Sequence, residues 1–200
     1  MTVLLAIDPG TRETGWAIFL QKPSPRGPGL SASGPKEHDP AKGGETLSQP
    51  ARLYWEESAQ EHQHWTLAET GLIVAHDRPR RVGAVERIKT IEVELNRVAE
   101  TWRPLEVAWK KPSLLQLPQQ QAVIETLSRT LERWAQGYSM SFYCYPLREI
   151  RAAISDRANA TKEELVYAVM TRWDLLGKVK TTHEWTAIAI GDYHLGRHRI

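Results

Sequence analysis

Val3-Leu4-Leu5-Ala6-Ile7 is an unbroken aliphatic run that ends on one carboxylate, Asp8, and on the turn Pro9-Gly10. Thr14-Gly15-Trp16-Ala17-Ile18 then resumes an apolar strand. Continuous Val/Ile/Leu runs mark buried strands. An Asp at the end of such a strand is held rigidly and is half-desolvated. Hard cations such as magnesium take oxygen ligands of that kind. Asp before Pro-Gly is also an ordinary hairpin signal, so on the dipeptide alone a plain turn remains open.

The rest of the chain bounds the function classes. Two hundred residues suffice to bury a substantial core in one domain. A net charge of +2 gives no global basic field, so any nucleic-acid face must come from local clustering. The single cysteine, Cys144, forms no intrachain disulfide, and no metal-spaced Cys/His motif is present. With no long apolar run and no signal-peptide pattern near Met1, a cytoplasmic protein with no membrane partner is expected. Trp16, Trp102, Trp109 and Trp185 sit in apolar contexts and are expected in the core.

From Gln21 to Pro50 the composition shifts to Pro, Gly and Ser, with few aliphatic residues, and Pro50 to Trp65 then mixes charges with Leu53, Tyr54, Trp55 and Trp65, an insertion of about residues 21–66. Residues 1–200 are therefore read as one domain carrying a Pro/Gly-rich insertion, with a short helix between Pro50 and Trp65. The insertion is a candidate surface for a protein partner, or a tolerated elaboration. Beyond it, Leu67 to Val74 reads as a strand, Arg81 to Trp102 as a helix, Leu105 to Trp109 as a strand and Gln119 to Trp134 as a helix. Ser141 to Tyr145 reads as a strand and Leu147 starts a helix. Thr161 caps another helix that runs to about Trp173, and Thr182 caps the last, to about His194. A hairpin followed by alternating helices and strands is an α/β pattern.

The opening string Ile7-Asp8-Pro9-Gly10 through Ile18 resembles the first strand pair of the RuvC family of Holliday junction resolvases. His183-Glu184-Trp185-Thr186-Ala187-Ile188-Ala189-Ile190 is similar to that family's last active-site helix. Tyr145-Pro146-Leu147-Arg148-Glu149-Ile150-Arg151 and Asn159-Ala160-Thr161-Lys162-Glu163-Glu164-Leu165 resemble its strand-to-helix turn and Lys-bearing helix start. The resemblance covers residues 1–20 and 67–194. It implies an RNase H-like fold: a mixed sheet with an antiparallel hairpin and helices on both faces. It also implies a structure-selective DNA endonuclease working as a homodimer on branched DNA. Either long helix, 81–102 or 119–134, is a candidate interface, though packing of their apolar stripes on the sheet is the favoured reading.

The same resemblance implies a two-metal mechanism with magnesium or manganese, two ions roughly 4 Å apart holding the scissile phosphate. Asp8 and His183 match ligand positions and are the candidate catalytic residues. Asp8, His183 and Glu184 are the candidate metal ligands. Two positions depart. The strand Val107-Ala108-Trp109-Lys110-Lys111-Pro112 places Lys110 where a Glu is expected, and Thr186 falls where the last Asp is expected. A cation within about 4 Å of a divalent site costs several kcal/mol at an effective dielectric near 20. A hydroxyl is a poorer magnesium ligand than a carboxylate. Glu106 shares the strand face of Lys110 but lies about 13 Å along the strand.

Lys110, Lys111, Arg148, Arg151 and Lys162 are the candidate nucleic-acid contacts, with Arg157, the 77–81 basic cluster and the Arg197-His198-Arg199 tail as further cations. Lys162 stands out because a helix start favours anions. Two readings follow. One is an endonuclease that resolves four-way junctions with a divalent metal. The other is a catalytically degenerate module that binds nucleic acid or a protein without cleaving, with Lys110 filling the former metal site. An actin-like small-molecule kinase would need a second such domain and a longer chain.

Overall fold

The computed structural model describes residues 2–23, 64–75, 83–112 and 118–198. Five strands form one sheet: β1 (Val3–Asp8), β2 (Glu13–Gln21), β3 (Trp65–Val74), β4 (Glu106–Lys110) and β5 (Ser141–Tyr145). Their order is β3-β2-β1-β4-β5. The hairpin pairs β1 with β2 antiparallel, and β3 extends it antiparallel from β2. On the other side β1–β4 and β4–β5 are parallel. All six residues of β1 are buried, as the aliphatic run requires of a central strand.

Side chains alternate across a strand, and the two faces carry separate cores. Val3, Leu5, Ile7, Ile18, Val107 and Trp109 face helices α1 (Ala84–Trp102) and α2 (Pro118–Gly137). Leu4, Ala6, Ala17, Phe19, Ala108 and Tyr145 face α3 (Leu147–Ser155), α4 (Lys162–Arg172) and α5 (Thr182–Arg197). The fold is thus α/β, a mixed sheet covered on both faces, as expected. α5 lies against β1 and β2 and is apolar on most sides, with Trp185, Ala187, Ile188, Ala189 and Ile190 buried.

Two glycines set how close α5 comes to the sheet. A Cβ on Gly191 would lie 2.0 Å from the Phe19 ring, and one on Gly15 would lie 2.2 Å from the His183 backbone. Only a residue without a side chain allows the sheet and the helix start to meet there.

Several sequence expectations are corrected in detail. β3 begins at Trp65, so Trp65 is a strand residue and not the end of a helix. Thr181, one residue before the expected Thr182, caps α5: its hydroxyl accepts from the Glu184 N–H, and the Glu184 carboxylate accepts from the Thr181 N–H. That reciprocal capping box carries the helix to Arg197, beyond His194. Trp109 and Trp185 are buried, whereas Trp16 and Trp102 are only partly so. The expected helix between Pro50 and Trp65, most of the 21–66 insertion, the 77–81 cluster and Arg199 lie outside the described residues.

Candidate functional site

The parity that divides the two cores also builds the site. Asp8 follows Leu4 and Ala6 on the α5 face of β1, and Lys110 follows Ala108 on the same face of β4. Ile7 is paired with Trp109, so Asp8 and Lys110 end adjacent parallel strands side by side. The Lys110 ammonium forms an ion pair with Asp8 Oδ1. From the first turn of α5, His183 Nδ1–H donates to Asp8 Oδ2 at 2.8 Å. Asp8 is 2 % exposed; in this nearly dry setting its Oδ2 is hydrogen-bonded, while its Oδ1 meets the Lys110 ammonium as an ion pair and has no hydrogen-bond partner among the described residues. Asp8, Lys110 and His183 form one cluster.

A cleft of about 540 Å³ opens over this cluster. Its lining includes Lys110, Arg151, Lys162 and Lys180, against the carboxylates Asp8 and Glu13. Leu147, Lys162 and Thr182, the first residues of α3, α4 and α5, all border it. Helix starts carry partial positive charge, so backbone and side chains act with the same sign. The buried Nε of Arg151 has no hydrogen-bond partner among the described residues. Buried donors are nearly always satisfied, so this one marks a place for an acceptor.

A second cleft of about 690 Å³ shares Lys110 and Leu147 as common wall and adds Arg12, Lys111 and an apolar floor of Val123, Ile124 and Leu127. Arg87 Nε donates to the Thr11 carbonyl at 3.0 Å, bracing the β1–β2 turn that forms the rim.

The other candidates distribute as follows. Lys110, Arg151 and Lys162 line the first cleft and Lys111 the second. Arg148 is exposed and borders neither. Arg157 pairs with Glu164 at 2.8 Å. Glu184 is not with Asp8. Its Oε2 serves the Thr181 cap, and its Oε1 accepts from the Thr70 hydroxyl at 3.1 Å, which in turn is bonded by the Lys180 ammonium. Lys180 went unnoticed in the sequence because it precedes the helix and shares no periodicity. The signal that places it is the cap itself, Thr181-x-x-Glu184, immediately downstream.

The donor set does not fit a two-metal centre. Asp8 is neutralised by Lys110, Glu184 is committed to the cap, and the Thr186 hydroxyl donates to the Thr182 carbonyl at 2.9 Å. Among the described residues, no three His, Cys, Asp or Glu side chains gather as a metal site would require.

A further polar cluster ties the far end of α5 to the sheet, and sequence reading found none of it. Tyr145 Oη lies 2.8 Å from His194 Nδ1 and 2.9 Å from His198 Nε2, and His194 Nε2 lies 2.8 Å from Glu106 Oε2. One assignment satisfies every contact with both rings neutral: His198 donates to Tyr145, Tyr145 to His194, and His194 to Glu106. Burial lowers the His194 pKa, opposed by the Glu106 hydrogen bond and reinforced by His198. Burial also holds the Tyr145 phenol well above its ordinary range. Glu106, too far along β4 to reach Asp8, is the acceptor that orients His194.

No protein-family model and no curated protein sequence matches the chain. Solved structures do. The structure of Thermus thermophilus RuvC is similar with a TM-score of 0.65 and 18 % identity, covering 96 % of this chain and 93 % of that one. T. thermophilus RuvC in complex with a Holliday junction substrate gives 0.67 and 17 %, covering 97 % and 93 %. The fowlpox virus Holliday junction resolvase gives 0.51 and 10 %, covering 98 % and 99 %. The chain has the fold of these resolvases over nearly its whole length.

Proposed function

We propose that the protein binds branched DNA through the cationic cleft at the ends of β1 and β4. One observation carries this reading. In a fold shared with proteins that act on Holliday junctions, Lys110, Arg151, Lys162 and Lys180 converge on one cleft and outnumber its carboxylates. Cations arranged this way neutralise phosphates and position a backbone without reading its sequence. The adjoining cleft, with Arg12 and Lys111 above an apolar floor, extends the same surface.

Junction cleavage is the second reading, favoured by a specific observation. Asp8 holds His183 by Nδ1, the arrangement that orients an imidazole for general-base work through its other nitrogen. Two-fold pairing of the chain suits a four-way junction, and Val85 and Val93 are exposed on α1, 63 % and 50 %. Mixing the protein with a labelled four-way junction and a matched linear duplex, in magnesium and in manganese, tests both readings. Preferential junction binding without nicks is expected. Symmetric nicks that vanish in Asp8→Asn would establish the second reading instead. Equal or absent binding to junction and duplex would overturn the proposal. Light scattering reports the pairing.

A further inference from the structure

The amino group of Lys110 stands on the very carboxylate that a divalent ion would need. A magnesium ion at this place would have to displace that ammonium, and among the described residues no three His, Cys, Asp or Glu side chains gather to hold it. What a metal does for a bound phosphodiester is to supply positive charge close to its oxygens, and here the chain supplies that charge itself. Lys110 is braced by Asp8, and its side chain is 24 % exposed, so its remaining N–H donors reach the cleft. Arg151 lines the cleft, and its buried Nε has no hydrogen-bond partner among the described residues. Lys162 adds an ammonium at the first residue of α4.

We propose that this cleft is a phosphodiester seat that works without divalent metal, with Lys110 taking the place of the ion and Arg151 and Lys162 completing the clamp. The inference deepens the branched-DNA reading and rests on it for the identity of the phosphodiester, though not for the seat itself. The role of Asp8 changes accordingly. It is a positioning residue that fixes the ammonium, and it does not ligate a cation from solution.

The first test measures junction binding by fluorescence anisotropy at constant ionic strength, in EDTA and in magnesium. The wild-type Kd should agree within about twofold, and Lys110→Gln should weaken binding about tenfold in both buffers, as loss of a phosphate contact predicts. Calorimetry of manganese into the DNA-free protein should give no binding heat. Binding that appears only with metal, or manganese heat in the wild type, would overturn the metal-free seat while leaving the branched-DNA reading intact. Absence of junction binding in every buffer would remove that reading alone. The seat is then decided by phosphorus NMR of inorganic phosphate. Broadening by the wild type that Lys110→Gln and Arg151→Gln abolish would sustain it, and an unchanged line would end it.

Discussion

At the scale of single residues, the pairing of Asp8 with Lys110 and His183 separates two chemistries by their response to one substitution. Asp8→Asn keeps the side chain's volume but removes its charge, and a hydrogen bond to a charged group contributes about 1.5–3 kcal/mol. Chemical denaturation should therefore show a loss of stability of that order. Junction affinity should shift by the same factor in EDTA and in magnesium, since in both buffers Lys110 loses its brace and a negative charge leaves the cleft. A metal ligand would behave differently, its removal weakening DNA binding in magnesium.

His194 gives a second expectation. Its folded pKa lies below its ordinary 6.5, so the unfolded chain takes up the proton first as pH falls. Stability is complete above that ordinary value and declines as pH drops through the folded one. Melting temperatures followed from pH 7.5 to about 4.5 should fall in the wild type and flatten in His194→Gln. Asp8 and Lys110 were both legible in the sequence, because an aliphatic run fixes where a strand ends and which face its last residue takes. The Glu106–His194–Tyr145–His198 cluster was not. It joins β4, β5 and α5, and only tertiary packing brings those positions together.

At the scale of elements, the approach of α5 to β2 decides whether His183 can reach Asp8. Gly15→Ala forces a Cβ to within 2.2 Å of the His183 backbone, so the helix start must move. Overpacking of this kind costs about 1–3 kcal/mol. The shift should also part His183 from Asp8, visible as a changed imidazole resonance by NMR. Glu184→Ala removes the half of the α5 capping box that its side chain makes and should cost about 1 kcal/mol, without any change in metal binding by calorimetry. That residue illustrates how a local pattern can be read for the wrong purpose. Thr181-x-x-Glu184 is a helix-start signature in the sequence, yet Glu184 beside His183 also resembles a ligand. The structure gives the carboxylate to the cap and to Thr70. The strands and helices themselves were largely legible from periodicity, with errors confined to ends such as Trp65 and Thr182.

At the scale of the whole molecule, a net charge of +2 means that binding depends on where the cations lie. Attraction should be short-ranged and sensitive to salt, since exposed charges are screened beyond about 8 Å at physiological ionic strength. The logarithm of junction affinity should fall linearly with the logarithm of salt concentration, and Lys162→Gln should reduce that slope by about one. A slope unaffected by Lys162→Gln would place this residue outside the phosphate path. The two clefts share a wall, so Lys111→Gln, on the far side of that wall, should lower the slope by a similar amount.

The two polar groupings at opposite ends of α5 have a joint consequence. The helix is a strut of about 24 Å with one footing at Asp8 and the other at Tyr145. Proton uptake by His194 undermines the second footing, and a stiff strut cannot sink at one end without tilting at the other. A loosened footing at Tyr145 should therefore be felt at Asp8, at the other end of the same helix.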